Sequence, residues 1–137
     1  MSLDLGAFAV GAVVAEFVSE PITRQDLKAY AEASGDRNPL HLDPAFARQA
    51  GFDDVIVHGM LGMALLGRLL TDCVQVERVK NFSARFGAII HVATRLTCRA
   101  TLEDRAGDVA RLALELRSES GDVLISGSAE VELHPAG

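Results

Sequence analysis

Tryptophan is missing from this chain of 137 residues, tyrosine occurs once, and aromatics make up only 5% of the composition. With so few flat side chains to stack on bases, single-stranded nucleic acid is not an expected ligand. Bases are scarce as well: 13 Lys and Arg stand against 19 Asp and Glu, a net charge of −6. That surface lacks the basic footprint a phosphate backbone demands, so no nucleic-acid partner is expected. The two cysteines, Cys73 and Cys98, are isolated and show no CxxC spacing, so neither a disulfide framework nor a zinc site is indicated. A reducing compartment follows. Long apolar runs are also lacking, since the most apolar stretch, Met60 to Leu70, falls far short of the ~20 residues that span a bilayer. The apolar N-terminal stretch carries Asp4 and no base before Arg24, unlike a signal peptide, and reads as the lead-in to a strand. A cytoplasmic protein with no membrane contact is expected.

What remains is 49% hydrophobic and 23% charged, the size and balance of one soluble globular domain over residues 1–137. Its charge is unevenly spread. Residues 1–60 hold nine acids and four bases, residues 61–100 two acids and six bases, and residues 101–137 eight acids and three bases. The basic middle segment carries Arg68, Arg78, Lys80, Arg85, Arg95 and Arg99, which either supply positive potential for a phosphate-bearing substrate or are a chance excess on solvated strand edges.

The β-branched run after Gly11, broken by Glu20-Pro21, predicts a strand near residues 12–19. Thr23 then caps a helix that buries Leu27, Tyr30, Ala31 and Ser34 on one face and ends at Gly35. Asp43-Pro44 opens a shorter helix that stops before Gly51. From His58 to Asp72 the chain is apolar almost all round, which predicts a buried helix. Gly59, Gly62 and Gly67 inside it imply a close approach by a packed sheet, a ligand, or both. Beyond Val79 the period becomes two, with Leu112, Leu114 and Leu116, then Ala129, Val131 and Leu133, facing inward. Turns fall at 104–108 and 118–122, and Gly127 suggests a bulge. The order is an α+β arrangement: a curved antiparallel sheet of about four later strands and one early strand, wrapped round a long buried helix.

Between the first two helices lies SGDRNPLHLD, in which Asp36 and His41 sit five residues apart on a loop shaped by Gly35 and Pro39. A carboxylate and an imidazole sharing one water can make it a nucleophile; equally, Asp36 can be a turn residue and His41 a satisfied polar side chain. His41, Asp43, Asp53, Asp54 and His58 match no familiar metal spacing, so no metal is expected. Gly62 and Gly67 have the phosphate-loop separation, but Arg68-Leu69 replaces the required Lys-Ser/Thr; no nucleotide and no other cofactor is expected. His91 reads as a packed or edge residue and His134 as part of a frayed tail.

The stretch from Ser34 to Leu70, SGDRNPLHLDPAFARQAGFDDVIVHGMLGMALLGRLL, resembles the signature region of the (R)-specific enoyl-CoA hydratases, the MaoC-like dehydratases of the hot-dog fold. The D-x-N-P-x-H core, followed by D-P-x-F-A and a later V-H-G-M-L, carries the likeness. It implies that Asp36 and His41 bind and activate the attacking water, that Asn38 positions the loop, and that the Gly59 backbone N–H binds the thioester carbonyl. The implied reaction is hydration of a trans-2-enoyl thioester, acyl-CoA or acyl-carrier-protein, to the (R)-3-hydroxyacyl thioester, and its reverse. The implied assembly is a homodimer or a dimer of dimers. Two departures stand out. Ala64 and Gly67 occupy the positions matching a helix serine that supports the loop in many relatives, which puts that support for Asp36 in question. Ile89 to Thr94 replace a Pro-Val then Gly-Asp pattern, which puts the local turn in question. A hot-dog thioesterase, or an inactive partner subunit of a heteromeric dehydratase, are the alternative readings.

Overall fold

The computed structural model describes residues 2–133, so His134 lies outside the described residues. After a 3-10 turn at Leu5–Ala7, whose Leu5 is buried, the chain forms β1 (Val13–Val18), α1 (Arg24–Ser34), α2 (Pro44–Gln49) and α3 (Gly59–Cys73). Then come β2 (Val79–Phe86), β3 (Thr97–Ala106), β4 (Val109–Arg117) and β5 (Val123–Glu132). All pairings are antiparallel and the sheet order is β1-β3-β4-β5-β2. This is the expected α+β hot-dog architecture, with α3 against β1, β2, β3 and β4. Only β3, β4 and β5 form a meander, because β2 pairs with β5 and the segment 87–96 carries the chain across to β3.

Local chemistry explains the element ends. Thr23 Oγ1 accepts from the Asp26 amide while Asp26 returns a bond to the Thr23 amide, a reciprocal capping box. Gly35, at φ 81°, ends α1 in the left-handed region. Asp43 accepts from the Ala45 and Phe46 amides ahead of Pro44, which starts α2 where no N–H partner is needed. Leu27 and Ala31 are buried as expected, whereas Ser34 is exposed and turns its hydroxyl to the Asp36 amide.

Two expectations need correction. The long helix is not buried all round: Gly62, Leu66, Leu69 and Leu70 face the sheet, while Met60, Ala64 and Arg68 form an exposed stripe one turn apart. A single sheet covers a single side. Gly127 makes no bulge; the β5 register runs through it unbroken. A Cβ there would lie 2.4 Å from the Ser83 carbonyl oxygen, so the glycine serves close approach of β2 to β5. The approach to α3 comes from side chains, since a Cβ at Gly62 would meet the δ-methyls of Ile125 at 2.7 Å and Ile90 at 2.9 Å. The segment 89–94 turns with Ala93 at φ 65°, a conformation that costs an L-residue about 1–2 kcal/mol.

Candidate active site

The loop that follows α1 is stiffened by its own side chains. Asp36 Oδ1 accepts from the Asn38 amide at 3.3 Å, and Asn38 Oδ1 accepts from the Leu40 amide at 3.0 Å, opening a 3-10 turn at Pro39–His41. Asn38 is extended, at φ −56° and ψ 127°, as a residue before proline should be. These turns throw Asp36 and His41 to the same side.

The loop rests on the segment leading into α3, where Val55, Ile56, Val57 and His58 are all buried. The Ile56 amide donates to the Leu40 carbonyl at 3.0 Å, and His41 Nδ1 lies 2.7 Å from the Ile56 carbonyl oxygen. A carbonyl only accepts, so Nδ1 carries the proton and Nε2 presents its lone pair. That Nε2 lies 4.0 Å from Asp36 Oδ2, too far for a direct bond and spaced for both to hold one water. The His41 side chain is 12% exposed and that of Asp36 52%, so the pair lies at a boundary between interior and solvent.

Behind the pair lies His58, 1% exposed. Its ring stacks on His41 with centroids 3.9 Å apart at 23°, its Nε2 is 3.1 Å from the Asp36 carbonyl oxygen, and Tyr30 tilts against it at 4.8 Å. Burial holds this imidazole below its ordinary pKa of 6.5, a shift that the bond to the Asp36 carbonyl and the Asp36 carboxylate oppose. Along the sequence His58 stands at a helix start, within the V-H-G-M-L motif and in a rejected metal set, none of which assigns it a partner. Its partners are 17 to 28 residues away, so no local pattern could reveal them.

Gly59 is the first residue of α3, where backbone N–H groups lack intrahelical partners and the dipole is positive. Among the described residues neither the Gly59 nor the Met60 amide finds a backbone acceptor. A Cβ at Gly59 would lie 3.2 Å from the Phe86 ring, so glycine keeps that amide open beside an exposed aromatic. No side chain of α3 bonds the Asp36 carboxylate, in keeping with Ala64 and Gly67.

Asp36, His41 and His58 bring ligand-type atoms within 4.8 Å of one another. Two imidazoles on one tetrahedral ion stand with centroids about 5 Å apart, given metal–nitrogen bonds of about 2.0 Å. At 3.9 Å and 23° these two rings are stacked closer than that. Of the three acids considered with them, Asp43 caps α2, Asp54 pairs with Arg24, which holds its carboxyl below the usual carboxylate range, and Asp53 is exposed.

Of the six bases in the middle segment five are engaged, and only Arg85, exposed on β2 beside Phe86, has no ion pair among the described residues. Arg99 pairs with Glu16 directly across β1 and β3, Lys80 with Glu132, Arg95 with Glu20 and Arg68 with Asp72. Arg78 is buried and donates to the Glu132 and Leu133 carbonyls and to Ser2. Antiparallel pairing sets the basic strands beside the acidic ones. Arg68 does line a groove of 690 Å³ with Phe17, Glu20, Asp26, Tyr30 and Leu65; Tyr30, which packs on His58, is its one link to the site.

Residues 7–119 match the MaoC like domain. The chain is 32% identical to the (R)-specific enoyl-CoA hydratase of Aeromonas caviae over 79% of its own length and 84% of that protein. It is 38% identical to the mitochondrial 3-hydroxyacyl-[acyl-carrier-protein] dehydratase of Arabidopsis thaliana over 66% of its length, and spans 46% of that relative. It spans still less of two multifunctional relatives, 6% of a fatty acid synthase beta subunit from Dothistroma septosporum and 12% of a peroxisomal hydratase-dehydrogenase-epimerase from Neurospora crassa. In structure it is similar to the unliganded R-hydratase PhaJ1 from Pseudomonas aeruginosa, with TM-score 0.84, 28% identity, and 93% and 83% of the two chains covered. The A. caviae (R)-hydratase gives TM-score 0.84 at 29% identity, covering 93% and 98%. By family match, relatives and fold together, the chain belongs to the MaoC-like domain family and has the fold of the two (R)-hydratase structures.

Proposed function

We propose that the protein is a hydro-lyase that adds water across a trans-2-enoyl thioester to give the (R)-3-hydroxyacyl thioester, and runs the reverse dehydration. Acyl-CoA is the first choice of carrier and acyl-carrier protein the second. The observation that carries this reading is the 4.0 Å separation of Asp36 Oδ2 and a proton-accepting His41 Nε2, held beside the amide-bearing start of α3. A water bonded to both groups loses a proton as its oxygen attacks C3. The electron pair of the double bond moves toward the thioester carbonyl, whose developing charge the Gly59 N–H stabilises. A proton then returns to C2, so one water is added and nothing is oxidised or reduced. Asn38 holds the loop, and the groove beside Tyr30, part apolar through Phe17, Ile22, Leu61 and Leu65, supports an acyl-bearing substrate.

We also infer a homodimer as the working unit. β1 and β2 are the sheet edges, and Met60, Phe86 and Ile89 are exposed apolar side chains between 41% and 55% accessible, a surface that a second copy would cover. Both cysteines are free thiols, and burial pushes that of Cys98 up to about 12, which fits a reducing cytoplasm.

A short 2-enoyl-CoA tests the activity, with loss of the conjugated enoyl absorbance and release of thiol followed together. Hydration without thiol release is expected, and Asp36→Asn or His41→Ala should lower it by at least about 1,000-fold while the far-UV spectrum is kept. Thiol release without hydration would identify a thioesterase, and no reaction an inactive subunit. Near-normal turnover by either variant would remove the pair from the chemistry.

A further inference from the structure

His58 is the most deeply buried polar side chain among the described residues, and the reaction written above does not use it. It precedes α3 yet makes no capping bond to that helix. Its Nε2 faces the Asp36 carbonyl, so Nε2 carries the proton, and Nδ1 is left buried with no partner. An orphaned buried nitrogen is destabilising, so a residue that served only to fill this space would be Phe or Leu. Neither offers what the histidine offers at once, a donor for Asp36 and a flat face for His41.

Both contacts supply what the loop lacks. The hydrogen bond from His41 Nδ1 to Ile56 fixes one point of the ring but leaves it free to rotate about that bond. The stacked face at 3.9 Å removes that freedom and so sets the direction of Nε2. Asp36 is otherwise held by bonds to Ser34 and Asn38, both local; His58 makes the one hydrogen bond that ties it to a distant part of the chain among the described residues.

We propose that His58 is the positioning residue of this site: its Nε2–H holds the main chain of Asp36 while its ring holds the plane of His41, registering both against the neighbouring Gly59 amide. The titratable groups facing it are Tyr30 from α1 and Asp36 and His41 from the loop. Burial keeps the ring neutral, so it does not repel a proton arriving on His41. The assignment rests on the hydratase reading for its kinetic consequences, and on geometry alone for its spectroscopic ones.

Two substitutions divide the contacts. His58→Phe keeps a flat ring and removes the donor, whereas His58→Gln keeps a donor and removes the ring. With 2-enoyl-CoA each should lose about 10- to 100-fold in kcat with KM changed less than about 2-fold, the pattern of lost alignment and not of lost binding. His58→Gln should also shift the pH profile of kcat. Both variants within about 2-fold of the wild-type kcat would overturn the proposal. In 15N NMR of the wild-type protein, His58 should be the Nε2–H tautomer and stay neutral through its ordinary pKa of 6.5. A His58 that titrates like a free histidine, or carries its proton on Nδ1, would overturn it even if neither variant folds. A wild type that shows this NMR pattern but hydrates nothing would sink the hydratase reading and still support the hold of His58 on His41.

Discussion

At Asp36 and His41 the same loop produces two unlike environments, a half-exposed carboxylate and a nearly covered ring, and a shared water fits between them. Next to them, the buried His58 links the site to stability. The folded chain disfavours the charged form of His58, while the unfolded chain binds a proton at an ordinary histidine pKa of 6.5. Stability from this residue is therefore complete above that value and erodes as pH falls below it. Urea unfolding at about pH 7.5 and about pH 5.5 should show this loss in the wild type and a smaller one in His58→Phe. An equal loss in both would place the sensitivity elsewhere. Gly59 shows a different economy, in which the absence of a side chain beside Phe86 keeps an amide reachable.

Elements here are fitted to one another at a few points of close approach, and those points differ in kind. At Gly62 an added Cβ would meet two flexible δ-methyls, which can turn aside, and alanine regains about 0.5–1 kcal/mol of helix propensity. Gly62→Ala should therefore cost about 1 kcal/mol or less. At Gly127 the obstacles are the Ser83 carbonyl oxygen at 2.4 Å and the Ala84 Cα at 3.4 Å, both backbone. No rotamer relieves that contact, and β2 must part from β5. Gly127→Ala should cost about 3 kcal/mol or more in urea unfolding. Equal costs at the two glycines would contradict this distinction between side-chain and backbone neighbours.

For the whole molecule, the alternation of acidic and basic segments resolves into pairing across the sheet. Glu16–Arg99 and Lys80–Glu132 span strands drawn from segments of opposite sign. Such exposed pairs contribute at most about 1 kcal/mol each, so they guide register more than they stabilise. The exposed stripe of α3 and the two sheet edges remain to be covered. Analytical ultracentrifugation at micromolar concentration should therefore return at least twice the 14.6 kDa chain mass. A monomer at that concentration would remove the second copy from the account of the site.

Much of this arrangement is legible along the chain because its causes are local. Thr23, Gly35, Asp43-Pro44 and the alternating leucines of β4 declare caps, stops and faces through bonds and periods of a few residues. Asp36, Asn38 and His41 belong to the same class, for Asx turns and a proline shape their loop within five positions. Contacts between distant segments carry no such signal. The partnership of His58 with Asp36 and His41, the passage of β2 to the far edge of the sheet, and the use of Gly127 for backbone approach all join distant parts of the chain. So does the pairing of Lys80, Arg95 and Arg99 with acids of other segments. Short-range hydrogen bonding and hydrophobic period thus wrote the elements and the Asp36–His41 loop into the sequence. Packing, which acts between residues near in space whatever their separation along the chain, settled which side of α3 stays open and what stands behind Asp36 and His41.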